Sequence, residues 1–523
     1  MFHQQKIADF LPALALVFSA ALAQPALAQS GVDLVRQAVA AQGGVAALSF
    51  AKTTIIKGEA KHWDPGHSFS VTSEPKFFGD STYTETTDNV TNTVRVDWDR
   101  NMKYPFIGRL RLSEITSPAF GVEINDNGVQ RAMSGIRLAA ILRERERVSP
   151  RMLLRALEVP DSIAALGEQQ IGDRSLPAVS IQTQTSTFTV LFDRITHLPA
   201  VVRTRDSDNV YGDANYDLVL SDWTEDEVEL GGMMRAHTLS FQLNGVEVQR
   251  LTLKKVTVDA PIPADTFAVN DDVRAKAKKA VADVPYQWVL RRLFMGRFID
   301  SDKVFYPEGG GLKLVELAPN VQHVVGSTHN SLIVAMKDGI VIFDAPIGEG
   351  MSRWVIDAAK ARYPGKPIKQ LVLTHHHMDH ITGARAYVAE GAEIVVPSQD
   401  RAFFEKMFRA PHKVAPDALA LKPKPAKIVS VKHTMSLKDG TVEIKLYNIP
   451  NPHADGMLIG HVVGPNLVWV TDLINPRGPI GRSPASIAVG DAFRKFGITG
   501  STIVAGHGAT AKQADITPAL STN

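Results

Sequence analysis

The fold and the chemistry of this chain are decided by the stretch Leu371-Val372-Leu373-Thr374-His375-His376-His377-Met378-Asp379-His380. Its apolar start, with Ile368 before it, predicts a short buried strand. The histidines and the aspartate then fall on the loop at the carboxyl end of that strand, where α/β folds place their chemistry.

The spacing of this cluster can be written His375-x-His377-x-Asp379-His380. Two imidazoles two residues apart can converge on one cation, and the residues behind them can turn toward a second. Histidine and carboxylate are ordinary zinc ligands, and a catalytic site leaves one position open for water. A chance or tag-like histidine run would be flanked by polar, low-complexity sequence. This run lies between a buried strand and Ile381-Thr382-Gly383, so it predicts a metal centre.

The composition sets broad limits. The chain has 523 residues, enough for two or three domains. It is 44% hydrophobic and 21% charged, which is typical of a globular protein. The net charge of +2 gives no reason to expect a nucleic-acid partner. Cysteine is absent, which excludes disulfides, a cysteine-ligated zinc site and a cysteine nucleophile.

Residues 1–28 are predicted to be a signal peptide. Lys6 precedes an apolar run from Phe10 to Leu22, and Ala26-Leu27-Ala28 fits a cleavage site before Gln29. The alternative is a membrane anchor, but the apolar run is short for a span. We therefore expect a periplasmic or secreted protein without a stable membrane span.

Residues 29–270 are predicted to form a β-rich domain. A helix over Val32–Leu48 is broken at Gly43-Gly44, and a helical insertion is expected at Ile136–Ala165. Elsewhere from Thr53 to Val269, short alternating segments predict a meander of antiparallel strands. The predicted turns are at Gly79-Asp80, Asp126-Asn127-Gly128 and Asn244-Gly245.

This half resembles the curved-sheet domains of periplasmic lipoprotein-carrier proteins. The similarity lies in the segments Phe192–Pro199, Tyr216–Trp223, Gly231–Arg235 and Pro263–Phe267. The resemblance implies a half-barrel that holds an acyl chain, and hence an acyl-bearing small-molecule substrate or a bound lipid. The alternative is a structural domain that shapes or covers the active site of the other half. It is favoured because no catalytic constellation occurs here.

Residues 271–311 are predicted to be a helical linker. Apolar residues at helical spacing alternate with basic ones up to Asp300, a pattern that suits either a membrane surface or packing between two domains. Pro307-Glu308-Gly309-Gly310-Gly311 marks the boundary of the next domain.

Residues 312–512 show an α/β pattern, and residues 513–523 are expected to form a tail. Further potential ligands occur where later strands end. His453 follows Asn451-Pro452, Asp472 follows the apolar run Val468–Val470, and His507 follows Ile503–Ala505. One isolated histidine would more often be a packed or surface residue. Their joint position at strand ends predicts two coordination shells.

These residues carry a resemblance to the metallo-β-lactamase fold superfamily, an αββα sandwich, from about Leu312 to Ala511. The expected fold class is therefore multidomain α+β, with this sandwich preceded by an antiparallel curved-sheet domain. The resemblance implies two divalent metal ions, expected to be Zn²⁺, and the ligand roles are as follows: His375, His377 and His453 for the first ion, Asp379, His380 and His507 for the second, Asp472 as the bridge, and Asp344 as a buried brace of the metal loop.

The implied mechanism is hydrolysis by a metal-bridging hydroxide, with Asp379 also orienting the hydroxide. Aspartate at position 472 is typical of glyoxalase-II-like thioesterases, lactonases and related hydrolases, whereas lactam-hydrolysing members have cysteine or serine there. We therefore expect an ester, thioester, lactone or amide substrate, with a β-lactam as the alternative. Glutathione thioesterases and alkyl sulfatases are not favoured, because both carry C-terminal additions and sixteen residues follow His507.

Two other functions remain open. One is a mononuclear iron dioxygenase of the same fold, against which the full set of seven ligands argues. The other is a lipid-binding protein with an accessory metal domain.

Specificity is expected to lie in Ser398–Ser430, which is rich in Phe and Pro. This segment is either a mobile apolar wall over the metals or a surface helix with a stiff proline connection. Arg477 is available for an anionic group. His376 is either an outer support of the centre or a packing residue.

Overall fold

The computed structural model describes residues 30–227, 230–280 and 311–521. The N-terminal part is built on one thirteen-stranded antiparallel sheet, in the order β6-β5-β4-β3-β2-β1-β13-β12-β11-β10-β9-β8-β7. Its strands are β1 (Thr53–Asp64), β2 (Lys76–Asp88), β3 (Thr93–Met102), β4 (Gly108–Thr116), β5 (Gly121–Asn125), β6 (Gln130–Ala132), β7 (Ile163–Ile171), β8 (Arg174–Gln182), β9 (Thr187–Phe192), β10 (Pro199–Asp208), β11 (Gly212–Glu225), β12 (Met234–Leu243) and β13 (Val246–Val258).

The helices of this part lie against one face of the sheet. They are α1 (Gly31–Ala41), α2 (Gly44–Ser49), α3 (Gly135–Val148) and α4 (Met152–Glu158), with short 3-10 turns at Pro65–His67 and Pro160–Ser162. Leu34 of α1, Ile136 of α3 and Met152 of α4 share a buried cluster with strand residues such as Phe188 and Tyr216. This face is therefore filled by the protein's own side chains.

The predicted meander is confirmed, with one exception among its turns. Asn244 and Gly245 both have positive φ, at 49° and 82°, as a two-residue hairpin between β12 and β13 requires. Gly79-Asp80 is not a turn. Both residues lie inside β2, where the pairing with β1 shifts register between His62 and Trp63 and Gly79 has φ 143°. A bulge accounts for the glycine there.

The C-terminal part contains two sheets, in the orders β14-β15-β16-β17-β18-β19-β20 and β21-β22-β23-β24-β25-β26. The strands of the first sheet are β14 (Lys313–Ala318), β15 (Val321–Val325), β16 (Ser331–Ala335), β17 (Ile340–Phe343), β18 (Ile368–Val372), β19 (Glu393–Pro397) and β20 (Lys427–Val431). Those of the second are β21 (Thr434–Lys438), β22 (Glu443–Asn448), β23 (Leu458–Val462), β24 (Leu467–Val470), β25 (Thr502–Ala505) and β26 (Thr510–Lys512).

The two sheets pack face to face. Phe343 and Val372 of the first sheet share a buried cluster with Leu446, Trp469 and Val504 of the second. Helices cover the outer faces, with one further buried cluster on each side. They are α6 (Glu349–Arg362), α7 (Met378–Ile381), α8 (Ala384–Glu390), α9 (Arg401–Arg409), α10 (Ala418–Leu421), α11 (Pro484–Phe496) and α12 (Thr517–Leu520), with 3-10 turns at Ser398–Asp400 and Gln513–Ile516. The expected αββα sandwich is confirmed.

Parallel pairing sets the position of the predicted site. Strand β18 runs parallel to β17 and β19, and β24 runs parallel to β25. The carboxyl ends of parallel neighbours meet at one edge of a sheet, so the loops after these strands lie together. Six of the seven residues predicted as ligands follow β18, β24 and β25, and the seventh, His453, follows β22.

Two segments differ from the sequence predictions. In its described residues 271–280, the predicted helical linker has one short helix, α5 (Asp271–Ala275), and residues 276–280 are not helical. The rest of that linker, 281–310, and the predicted signal peptide, 1–28, lie outside the described residues. The expected tail does not extend from the domain: Ile516 and Leu520 are buried in the cluster over the second sheet. Within the described ranges, no helix has the length and hydropathy needed for a membrane span.

The packing of the C-terminal segment gives a stability prediction. A Cβ on Gly490 of α11 would lie 1.9 Å from the backbone oxygen of Leu520. Alanine favours helix by about 1 kcal/mol over glycine, but displacing backbone costs about 1–3 kcal/mol. We expect Gly490→Ala to lower the free energy of unfolding, measured by urea denaturation. Gly464→Ala is the control, because a Cβ there meets no atom within 4 Å, and a loss of equal size in both variants would contradict the packing.

Candidate metal centre

The loop after β18 is anchored by Asp344, which follows the end of β17. Its carboxylate is fully buried and accepts hydrogen bonds from the backbone N and the Oγ1 of Thr374, both at 2.9 Å. Trp469 Nε1 donates to the same carboxylate at 3.3 Å, and His380 Nδ1 lies 3.6 Å away. Asp344 thus lies under the metal loop and anchors it, and it belongs to neither candidate ligand group.

One candidate ligand group consists of His375, His377, His453 and Asp472. Each offers a donor atom, and these atoms all lie within 4.8 Å of one another. His375 Nε2, His377 Nδ1 and His453 Nε2 are buried and have no hydrogen-bond partner within the described ranges. Asp472 Oδ2 lies 2.9 Å from His453 Nε2 and 3.2 Å from His375 Nε2, without hydrogen-bond geometry. Buried polar atoms normally have partners, so these atoms fit a shared cation.

The second candidate group consists of His329, Asp379, His380 and His507, again with donor atoms within 4.8 Å of one another. His329 Nε2 lies 3.0 Å from Asp379 Oδ2, and His380 Nε2 lies 3.2 Å from His507 Nε2. Three imidazoles and one carboxylate form an ordinary donor set for a divalent transition metal.

Asp472 contacts both groups. Its Oδ1 lies 2.6 Å from His507 Nε2, and its Oδ2 lies 3.2 Å from His380 Nε2 as well as close to His375 and His453. A carboxylate shared in this way has the position that a bridging ligand needs. The structure therefore brings together all seven residues that the sequence predicted as ligands.

His329 is a candidate ligand that the sequence analysis missed. It lies on the loop after β15, four residues beyond the end of that strand. Its ring is buried, and its centroid lies 4.3 Å from that of His507. The signal that could have found it is the one used for His453 and His507, a histidine that follows a strand end.

Most of these histidines are held through their other ring nitrogen. His375 Nδ1 lies 3.0 Å from Thr374 Oγ1, and His507 Nδ1 lies 2.8 Å from the carbonyl oxygen of Thr328. Thr328 Oγ1 lies 2.8 Å from His329 Nδ1. Such contacts fix the tautomer and the ring orientation of a metal ligand.

The protonation states of His375, His329, Asp379 and Asp472 suit metal binding. Burial lowers the pKa of both His375 and His329 to about 3, so these rings are neutral at pH 7. Burial alone would raise the pKa of the two carboxylates. The charge of His67 and His380 near Asp379, and of His380 and His507 near Asp472, instead lowers each pKa well below its usual value. Metal binding needs neutral imidazole and ionised carboxylate. At His380, burial lowers the pKa but the nearby carboxylates of Asp472 and Asp379 outweigh it and raise the pKa well above its ordinary value, so this ring must release a proton when a metal ion binds.

A segment of the N-terminal part reaches this centre, and the sequence did not predict this contact. We call Asp64–Phe69, which is the last residue of β1 and the five residues after it, the β1–β2 loop. His67 Nε2 lies 3.1 Å from Asp379 Oδ1, and His67 Nδ1 contacts the carboxylate of Asp64. The carbonyl oxygen of Ser68 accepts hydrogen bonds from Nε2 of both His376 and His377, each at 3.0 Å. His376 thus contacts this loop, and its Nδ1 lies 3.3 Å from Asp400 Oδ1.

The comparisons with known proteins agree with this geometry. Residues 324–507 match the family model of the metallo-beta-lactamase superfamily. The C-terminal part of this chain is a metallo-β-lactamase superfamily domain. A linear primary-alkylsulfatase from Pseudomonas sp. is 39% identical over 61 residues, which are 12% of this chain and 9% of that protein. The chain therefore matches less than a tenth of the length of this relative.

Solved structures with similarity to the superfamily domain include two from different organisms. A metallo-beta-lactamase from Pontibacter korlensis is 16% identical, over 40% of this chain and 97% of that one, with a TM-score of 0.31. A sec-alkylsulfatase from Pseudomonas sp. is 19% identical, over 40% of each chain, with a TM-score of 0.30.

The segment Ser398–Ser430 of the superfamily domain is not an apolar wall over the centre. Phe404, Met407 and Phe408 of α9 are buried in the cluster on the outer face of the first sheet. Their spacing at i, i+3 and i+4 places them on one helix face. The alternative, a helix followed by a proline-containing connection, is what the structure shows.

Arg477 lies beside the centre of the superfamily domain. Its Nη2 donates to the carbonyl oxygen of Thr328 at 3.0 Å and lies 3.4 Å from His507 Nδ1. The side chain is exposed. It places a positive charge next to the second ligand group.

Proposed function

We propose that this protein is a periplasmic or secreted dinuclear metal-dependent hydrolase that acts on an ester, thioester, lactone or amide. The observation that carries the proposal is the pair of four-residue donor groups with Asp472 between them. The superfamily match over residues 324–507 supports metal-dependent hydrolysis as the reaction class. The predicted signal peptide supports the location.

Each residue of the centre has a role in this proposal. His375, His377 and His453 would hold one ion, Asp379, His380 and His507 would hold the other with His329 as a further ligand, and Asp472 would be shared between the two groups. These residues would hold divalent ions, proposed to be Zn²⁺, which would supply a water of lowered pKa and polarise the scissile bond. Asp379 also orients the attacking water, and Asp344 keeps the metal loop in place through Thr374.

Arg477 is proposed to attract an anionic substrate or leaving group, because its charge is exposed beside His507. The substrate is a small molecule. The helices fill one face of the N-terminal sheet with the protein's own side chains, which argues against a lipid carrier with an accessory metal domain. Two donor groups give less support to a mononuclear iron dioxygenase.

A second candidate substrate is a sulfate ester. The 61 residues that are 39% identical to a linear primary-alkylsulfatase favour it. The same donor set can hold metals that polarise a sulfate ester, and Arg477 would face the sulfate charge. A β-lactam remains a candidate for the same centre.

Metal content tests the proposal. Full-chain protein, purified without a histidine tag or added metal, is expected to contain close to two zinc ions per chain by elemental analysis. A chelator should abolish hydrolysis, and Zn²⁺ should restore it, when lactones, thioesters, carboxylic esters, amides, alkyl sulfates and β-lactams are screened. One iron per chain, or no metal even after reconstitution, would overturn the proposal.

A further inference from the structure

The β1–β2 loop contributes three polar contacts to the metal centre, and its polar residues are almost fully buried. Asp64 is 0% exposed, and His67 and Ser68 are each 3% exposed. The loop is also attached to the segment that carries His453, since the backbone N of Asp455 donates to the carbonyl oxygen of Phe69 at 2.7 Å. The N-terminal part therefore meets the ligands of both candidate groups.

The carbonyl of Ser68 acts on His377. His377 Nε2 donates to it, so this nitrogen carries the proton and Nδ1 keeps a free lone pair. Nδ1 is the atom that is buried without a hydrogen-bond partner in the described part of the chain. A carbonyl oxygen has two lone pairs, which is why it can also accept from His376. This contact selects the nitrogen that His377 presents to a metal ion.

Asp64 and His67 act on Asp379. His67 has one ring nitrogen against Asp64 and the other 3.1 Å from Asp379 Oδ1, an ion-pair distance without hydrogen-bond geometry, while Asp379 Oδ2 faces His329. The two oxygens of Asp379 are thus divided between the β1–β2 loop and the second ligand group. Asp64 also accepts a hydrogen bond from the backbone N of Gly66 at 2.8 Å, which fixes the turn that carries His67.

Docking of the two parts does not itself need these polar groups. Phe78 and Val210 of the N-terminal part already belong to the same buried cluster as Phe404 and Met407 of the superfamily domain. Burying a carboxylate and an imidazole carries a large desolvation cost unless both are paired. Apolar residues already form this interface. The buried polar groups that lie in it beside the ligands therefore indicate a role in the metal centre.

We propose that the N-terminal domain completes the metal centre, with His67, supported by Asp64, and the Ser68 carbonyl as positioning groups for Asp379 and His377. This inference rests on the proposed function, because it concerns the same two ions. It makes the two parts of the chain a single functional unit, in which the sheet domain sets the geometry of the ligands.

The test is metal affinity, measured on full-chain protein. Metal-free wild type and variants are titrated with Zn²⁺ against a chelating indicator, which gives a constant for each of two binding steps. His67→Phe keeps an aromatic ring beside Phe78 and Tyr104 but removes both ring nitrogens. We expect one step to weaken by about 10–100-fold and the other to stay unchanged. His67→Gln keeps a donor toward Asp379 and is expected to recover most of the loss.

His62→Phe is the matched control. His62 lies in β1, five residues before His67, is 2% exposed, and has ring nitrogens 2.8 Å from Ser81 Oγ and 3.3 Å from Gln249 Nε2. It should leave both steps unchanged. The absorption spectrum of the Co²⁺-loaded protein gives a second readout, which should change in His67→Phe alone. Two unchanged steps in His67→Phe, or equal losses in the control, would overturn the inference, as would failure of His67→Gln to recover affinity.

The outcome also separates this inference from the proposed function. Wild type that binds two zinc ions and hydrolyses a substrate, with unaltered binding in His67→Phe, contradicts the positioning role alone. Wild type that binds two ions but hydrolyses nothing contradicts the proposed function, while the affinity comparison still decides the role of His67. Wild type without metal overturns both.

Discussion

Asp472→Asn is expected to lower kcat by more than about 100-fold, since even outer partners of metal ligands are worth 10–100-fold. Asp472 lies between the two ligand groups, within 3.2 Å of nitrogens on His375, His380, His453 and His507. An amide has the same shape but no negative charge, and its NH₂ group cannot coordinate a cation. The variant should lose the bridge between the ions and with it most of the activity.

Asparagine is the informative replacement because of the backbone at this position. Asp472 has φ 58°, a left-handed conformation that asparagine tolerates well and alanine does not. Loss of activity in Asp472→Ala could therefore reflect backbone strain. The measurement is kcat and metal content for Asp472→Asn, together with a thermal unfolding curve that should match wild type.

Asp259→Asn is the matched control for this experiment. Asp259 has φ 50° and directly follows β13, and its carboxylate accepts from the backbone N of Lys52 and Thr53 at the start of β1. The same chemical change in the same backbone conformation should leave kcat unaltered there. If Asp472→Asn keeps full activity and two bound ions, Asp472 is not a required ligand of the centre. His377→Ala is expected to abolish turnover in parallel.

The superfamily domain could be predicted from sequence because local pattern and chemistry coincide. Apolar runs such as Val468–Val470 fix where strands end, and parallel strands bring their ends together, so ligand-type residues at those ends converge. His329 obeys the same rule but stands alone in its loop, without the short spacing to another ligand that marks His375 and His377. A single histidine carries too little pattern to be distinguished from a packed one.

The β1–β2 loop could not be predicted for a different reason. His67 lies more than 300 residues before Asp379, and the sequence of a loop does not say which surface it will meet. The Pro65-Gly66 pair indicates a turn and no more. Docking between two domains depends on the shape of both surfaces, as at Phe78 and Phe404, and no periodicity in the chain encodes it.

Errors of detail also have physical causes. Gly79-Asp80 has turn composition, yet pairing with β1 and β3 on both sides keeps β2 extended through it. Phe404, Met407 and Phe408 were candidates for a substrate wall because they are apolar and near the predicted centre. Their helical spacing places all three on one face of α9. Burial of that face against the first sheet removes more apolar surface from water than a wall exposed over the centre would.

Asp344→Ala is expected to lower the free energy of unfolding by about 3–5 kcal/mol, the range found when one partner of a buried charged contact is removed. The carboxylate is 0% exposed and takes hydrogen bonds from Thr374 and Trp469. Alanine would leave these donors unpaired and would adopt φ 57° with strain. Urea denaturation in the presence of a chelator measures the effect without a contribution from bound ions.

The same variant should also bind metal poorly, because Thr374 precedes His375 and Asp344 lies 3.6 Å from His380. Asp217→Ala separates this effect from instability alone. Asp217 is a buried aspartate of the N-terminal sheet whose Oδ1 accepts from Arg203 Nε at 2.7 Å, so its loss should also destabilise the protein. Elemental analysis of folded samples should show close to two zinc ions in Asp217→Ala and fewer in Asp344→Ala. Equal metal content in the two variants would reduce Asp344 to a general contributor to stability, because a brace of the metal loop must affect the ligands that the loop carries.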